Sequence, residues 1–292
     1  MTESILESTA YQIKNAALLA KKKIRTNLKN VHETLLLPLW GRAEAAKMKD
    51  PVLNDRKAIE LINHIDYDFS KFRSQIRKFE ILTLAMRAKE LDAIIREFIN
   101  VHPEGTIVNI GAGLDTTFYR VNNGQIKWYD LDVSQVIDLR NTLLPQSEQL
   151  KSISKSMFDE SFLVDIEKPK DGILFFASGV LIYFEEERVR AFFKMIASHF
   201  PHSEIAFDTM TPLGIYIAGK IVKKSGIQGA DMKWGIPNVR RMQQWNLGLE
   251  LVEHYPIYSK TVIPRSWGVG TKLLMRFSDL FSIVNMNYVK FN

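Results

Sequence analysis

Thr106 to Ser134, TIVNIGAGLDTTFYRVNNGQIKWYDLDVS, constrains this chain more than any other stretch. It opens with a short apolar run, Ile107-Val108, of the kind that forms a buried strand. Gly111 and Gly113 follow, where a tight turn without Cβ atoms is expected. Asp115-Thr116 can start a short helix. A second strand, Ile126 to Leu131, runs into two acids, Asp130 and Asp132. They stand 19 and 21 positions after Gly111, close to the spacing of about 20 residues at which a βαβ unit sets a carboxylate on a ribose. The pattern describes a nucleoside pocket. The competing reading is a plain turn between solvated acids, since a lone G-x-G is a weak signal.

What is missing narrows the ligand. A dinucleotide fold wants G-x-G-x-x-G, so that backbone amides approach a pyrophosphate. Here the third position falls at Phe118 or a neighbour, and no lysine follows as it would in a P-loop. The pocket therefore suits a nucleoside without phosphates, and S-adenosylmethionine, with its ribose, adenine and amino-acid tail, fits.

At 292 residues the chain can bury a large core, as one elaborated domain or a domain with a cap. The absence of cysteine excludes disulfides, zinc-thiolate sites and cysteine nucleophiles, and no metal site is expected. No apolar run approaches the roughly 18 residues of a membrane span, and the N-terminus lacks a signal-peptide core. A cytoplasmic enzyme is the expectation. The net charge of +6 is concentrated in the first third, densest at Lys21-Lys22-Lys23, Arg25 and Lys29. With little aromatic interleaving, that cluster reads as a solvated helix face rather than a nucleic-acid site.

In chain order, residues 8–25 read as a helix. Leu35 to Trp40 is an apolar stretch broken by Pro38. Gly41 to Lys49 and Asp55 to Asn63 read as helices, the second capped by Asp55. Phe69 to Phe98 makes one long helix, or two broken near Thr83. After Asp132 strands and helices alternate: helix Val133–Leu144, strand Lys151–Ser154, strand Gly172–Ala177, helix Glu185–Phe200, strand Glu204–Asp208. Thr211 to Leu247 is a mixed insertion. Strand Leu249–Tyr255, helix Thr271–Ile283 and strand Met286–Phe291 close the chain. Such alternation predicts an α/β fold with a mostly parallel sheet covered on both faces.

VNIGAGLDTTFYRV, WYDLDVSQVIDLR and GVLIYFEEERV, with FPHSEIAFD and KWG in support, resemble the leucine carboxyl methyltransferase-like family. The resemblance is closest to a bacterial branch similar to the tetracenomycin-type polyketide O-methyltransferases. It runs over most of the chain, from LLLPLWGRAEAAKMKDPVLNDRKA onward. It implies a class I, Rossmann-like sheet of seven strands with the last antiparallel, and S-adenosylmethionine as methyl donor. A helical cap over residues 1–100 and a core over 101–292, with the insertion at 211–247 after strand 5, are expected.

By the same resemblance, Gly111 and Gly113 lie against the methionine portion of the cofactor. Asp132 takes the ribose hydroxyls, with Asp130 sharing or supporting it. Arg87 matches the arginine that holds the cofactor carboxylate. Met157 and Phe158 would cover adenine, with Asp159 on its amino group. Ser178 falls beside the transferred methyl, and Tyr183 close behind. Two departures stand out. Thr117 replaces an arginine usual in the family, and Ser178 replaces an acid.

A sulfonium methyl needs no activation by the protein. A carboxylate acceptor is already ionised, whereas a hydroxyl benefits from a base. Tyr183, Asp208 and His202 are the candidates, with Asp208 better placed at a strand end and His202 expected on the surface. Trp40, Tyr216, Met232, Trp234 and Trp245 are candidate lining for a small-molecule acceptor, or ties that hold the cap. Membrane and nucleic-acid partners are not expected, and no Asn/Asp-Pro-Pro-aromatic tetrapeptide of base-amino methyltransferases occurs. A protein carboxyl methyltransferase, or a binding protein without catalysis, remains the alternative.

Overall fold

The computed structural model describes residues 34–227 and 229–292, together with the backbone of residues 24–25. The helix expected over residues 8–25 and the lysines at 21–23 and 29 therefore lie outside the described residues. Ile24–Arg25 itself is extended and pairs in parallel with Ile65–Asp66.

Seven strands make the main sheet: β1 (Thr106–Ile110), β2 (Lys127–Asp132), β3 (Leu150–Ser154), β4 (Ile173–Ala177), β5 (Glu204–Met210), β6 (Leu249–Pro256) and β7 (Val284–Phe291). Their spatial order is β3-β2-β1-β4-β5-β7-β6. β7 is antiparallel to both of its neighbours, and the pairings among β3, β2, β1, β4 and β5 are parallel. The antiparallel last strand matches the expectation.

β1 and β4 are buried along their whole length. Their side chains alternate between two apolar layers, as the two-residue period of a strand requires. Ile107, Trp128, Leu174 and Phe176 pack toward the helix α4 described below. Val108, Tyr129, Leu131, Phe175 and Phe207 pack with Phe192 and Phe193 of a helix on the opposite face. Burying each such side chain contributes about 1.5–3 kcal/mol, so the two layers fix the register of the central strands.

Nine α-helices accompany the sheet among the described residues: α1 (Leu36–Ala46), α2 (Arg56–His64), α3 (Ser70–Gln75), α4 (Lys78–Val101), α5 (Phe118–Val121), α6 (Ser134–Leu143), α7 (Glu186–His199), α8 (Pro212–Lys224) and α9 (Val269–Leu280). Pro38 does not break the first of them. It sits in the opening turn of α1, where a backbone N–H would have no helical partner to lose. The break expected near Thr83 falls instead at Ile76–Arg77, between α3 and α4. Asp55 caps α2 as expected, accepting from the Ala58 amide at 2.9 Å. The insertion opens with a regular helix, α8, in which Pro212 occupies the first turn and Thr211 accepts from the Gly214 amide.

Candidate active site

Register brings the strand ends together. Ile110 pairs with Leu131 on one side and Ala177 on the other, and Ala177 pairs with Phe207. The next residue along each chain is Gly111, Asp132, Ser178 and Asp208. Four distant stretches thus converge on one edge of the sheet, the C-terminal edge where open α/β sheets take their ligands.

A cavity of about 830 Å³ opens over that edge. Its sheet side is formed by Gly111–Asp115, Asp132, Val133 and Ser178–Val180. Arg87 and Leu84 reach it from α4, Leu35 and Arg42 from the N-terminal helical segment, and Ile217 and Ile221 from α8. The exposed wall is mainly apolar, with charged side chains such as Arg42, Glu80, Arg87, Asp132 and Lys233 set among aliphatic and aromatic ones.

Gly111 turns with φ +63°, and a Cβ there would come within 2.6 Å of Val180 Cγ2. Glycine is required on both counts. Gly113, at φ +46°, donates its amide to Asp132 Oδ2 at 2.8 Å. Asp132 Oδ1 accepts from the Val133 amide at 2.7 Å.

Asp130 is on the same strand face as Asp132 but does not line the cavity, so of its two expected roles, sharing the ribose or supporting Asp132, the geometry leaves the second. It is wholly buried and accepts from Asn109, Trp128 and Arg140. Arg140 in turn donates to the carbonyls of Gly113 and Asp115, at 3.0 and 2.8 Å. The pair braces the glycine turn from behind.

Arg87 lines the cavity beneath Gly179, where a Cβ would fall 2.7 Å from Arg87 Nη1. Its Nη1 stands 3.6 Å from Asp208 Oδ2. Arg87 Nε and Asp208 Oδ2 are both buried without a hydrogen-bond partner among the described residues. Asp208 Oδ1 accepts from the Gly179 amide at 2.6 Å. Asp208 is 2% exposed and does not line the cavity, which argues against the general-base role expected of it. It holds the turn after β4 and balances the Arg87 charge.

Tyr183 does line the cavity, as does Ser178. Burial pushes the Tyr183 phenol above its ordinary value, against the opposing pull of the Arg87 charge and a hydrogen bond with Thr34. A phenol so protonated is a poor base. His202 lies exposed in the turn before β5.

Met157, Phe158 and Asp159 are not among the cavity-lining residues. Met157 is in the core, Phe158 stacks edge-on to Phe184 and under Arg188, and Asp159 caps a 3-10 turn through the Ser161 amide. Of the aromatic and methionine residues expected to line an acceptor site, only Met232 does so. Trp40 packs on Phe72, Tyr216 is exposed, and Trp234 and Trp245 seat the insertion in the core beside Phe193.

Sequence reasoning missed a junction centred on Asp55. Its Oδ2 accepts from Arg42 at 3.0 Å, Thr116 at 2.6 Å and Arg120 at 2.9 Å. Arg42 also donates to the Leu114 carbonyl at 2.9 Å. Arg120 donates to Thr117, and to both oxygens of Asp92. Thr117, one of the two departures noted in the sequence, is thus covered by a guanidinium from three residues on. α1 and α2 are tied to the glycine turn through one carboxylate.

The profile of the leucine carboxyl methyltransferase family matches residues 36–197. The chain belongs to this family. Tetracenomycin polyketide synthesis O-methyltransferase TcmP of Streptomyces glaucescens is 32% identical over 229 residues, covering 78% of this chain and 83% of that protein. S-adenosyl-L-methionine-dependent methyltransferase dpfgK of Gibberella zeae is 26% identical over 281 residues, covering 89% and 94%. In fold, a DUF574 family protein from Streptomyces avermitilis superposes with a TM-score of 0.58 at 12% identity, covering 87% of this chain and 97% of that one. The protein is an S-adenosylmethionine-dependent methyltransferase. Its cavity edge fits that cofactor: glycines where a Cβ would clash, an acid beside the glycine turn, and a buried arginine with a free N–H.

Proposed function

We propose that this methyltransferase transfers the methyl group to an oxygen of a small, largely apolar acceptor. The observation that carries this reading is the mainly apolar cavity of about 830 Å³ running on from Gly111, Asp132 and Arg87. Its size and lining suit a compact organic molecule rather than a protein tail. TcmP, an O-methyltransferase of tetracenomycin polyketide synthesis, supports the same direction.

In this reading Asp132 accepts the ribose hydroxyls and Arg87 pairs with the cofactor carboxylate. A hydrogen bond to a charged group contributes about 1.5–3 kcal/mol. The cofactor supplies a methyl already activated by its positive sulfur. What the chain supplies is placement: the Ser178–Val180 turn and Tyr183 border the reacting oxygen, and α4 and α8 keep water away. Holding the reacting atoms in attack geometry is the main source of acceleration for such a displacement. Residues 1–100 act as the cap, 101–292 as the catalytic core. The enzyme works in the cytoplasm on a dissolved acceptor, with no nucleic acid or membrane as partner.

Calorimetry with S-adenosylmethionine tests the assignment. Asp132→Ala and Arg87→Ala are each expected to bind at least about tenfold more weakly, a loss of about 1.4 kcal/mol, while circular dichroism shows them folded. Unchanged affinity in both would overturn it.

A further inference from the structure

α4 turns Glu80, Thr83, Leu84 and Arg87 toward the cavity. Steps of three and four residues keep them on one face. At a rise of ~1.5 Å per residue, Glu80 stands about 10 Å along the axis from Arg87. Arg87 belongs to the cofactor end, so Glu80 marks the far end. Apolar side chains such as Leu84, Ile217, Leu274, Phe277 and Val284 line the same cavity.

At the far end, donors and acceptors are unevenly matched. Thr83 Oγ1 lies 2.8 Å from the Phe79 carbonyl and 2.5 Å from the Tyr258 hydroxyl. A carbonyl can only accept, so the Thr83 proton goes there and Tyr258 donates to Thr83. The Tyr258 oxygen is left with lone pairs only. Burial pushes its phenol well above the ordinary value, aided by the nearby negative Asp279 and Glu80 and opposed by the Thr83 bond. It therefore keeps its proton. Asp279 accepts from the Tyr258 amide at 3.2 Å. Glu80 Oε2 is sealed from solvent with no hydrogen-bond partner among the described residues. Arg77 also lines the cavity but is exposed, so solvent screens its charge.

Glu80 and the Tyr258 oxygen thus offer acceptor atoms at this end of the cavity. We propose that Glu80, with Tyr258 beside it, is a specificity determinant that recognises a hydrogen-bond donor, a phenolic hydroxyl, at the end of the acceptor remote from its methylated oxygen. A carboxylate at that position is turned away, because it would face an anion and lone pairs. The proposal rests on the reading that this cavity holds the methyl acceptor.

Binding of three probes in the presence of saturating S-adenosylhomocysteine tests it: 4-hydroxy-4′-methoxybiphenyl, 4,4′-dimethoxybiphenyl, and 4′-methoxybiphenyl-4-carboxylic acid, which differ only at the end opposite one methoxy group. Wild type is expected to bind the phenol at least about tenfold more tightly than either of the others, the discrimination of one well-formed hydrogen bond to a charged group. Glu80→Gln, nearly isosteric, should cut both ratios at least about fivefold, with S-adenosylhomocysteine affinity unchanged. Tyr258→Phe should weaken the phenol without affecting the dimethyl ether. A carboxylate in the first turn of α4 also suits the helix dipole, but that role would shift stability and leave the probe ratios alone. Ratios unchanged in Glu80→Gln overturn the proposal, as does wild type that binds S-adenosylhomocysteine but none of the biphenyls. Loss of S-adenosylhomocysteine binding by wild type would instead bring down the cofactor assignment beneath it.

Discussion

Arg140 Nε donates to Asp130 Oδ2 at 2.7 Å, inside a site where neither side chain is more than about 1% exposed. The same guanidinium holds the carbonyls of Gly113 and Asp115. Removing one partner of a buried pair leaves the other charge uncompensated. Asp130→Ala is therefore expected to cost about 3–5 kcal/mol of stability in urea denaturation. Asp132→Ala, at the half-buried cavity edge, should cost less than about 2 kcal/mol and act on cofactor affinity instead. Equal stability losses would show that the two acids do not divide the work this way.

Gly111→Ala meets two penalties, a left-handed backbone and the Val180 side chain. The first costs about 1–2 kcal/mol for a residue with a Cβ, and overpacking adds about 1–3 kcal/mol. Adding Val180→Ala should recover the second part and leave the first. Thermal melting of the single and double variants separates them; full recovery in the double variant would mean that the backbone carries no strain.

Asp208→Asn keeps an oxygen for the Gly179 amide but loses the charge facing Arg87. Unfolding free energy is expected to fall by about 1–3 kcal/mol, with the pH profile of kcat unchanged in shape. A general base contributes about 10²–10⁴-fold, so a kcat loss of that size with a shifted profile would restore Asp208 to catalysis.

Burial alone would raise the Asp55 carboxyl, but Arg42, Arg120, Thr116 and the Ala58 amide outweigh it and hold the group below its ordinary value. A carboxyl lower in the folded than in the unfolded chain stabilises above its unfolded value of about 3.9. That contribution disappears as pH falls through the folded value. Asp55→Asn should therefore be less stable than wild type at pH 7 by about 3–5 kcal/mol, with the gap narrowing below about pH 4. Urea melts between those pH values check the sign; a gap that widens in acid would contradict it.

The strands and the glycine turn followed by an acid at 130 or 132 were legible because they follow from apolar runs and glycine spacing, both local in sequence; the place of Ser178 came from the family resemblance. Asp55 was legible as a helix cap for the same reason. Its bonds to Thr116 and Arg120, more than 60 positions on, leave no periodic trace. Nor does an aromatic side chain announce its neighbours. Trp234 and Trp245 read either as acceptor lining or as ties for the cap, and the way the insertion folds back over α7 decides for the core. Asp130 and Asp132 show the limit most clearly. Two residues apart on β2, they share a face. Asp130 lies inside the strand and is taken up by Arg140, while Asp132 ends it and reaches the cavity.

The Arg87 guanidinium occupies the space that a side chain at position 179 would need. The two positions are thereby coupled in evolution: a lineage cannot place alanine at 179 without displacing the arginine on α4, and with it the charge that Asp208 balances. Homologues that lack glycine at 179 should also lack arginine at 87.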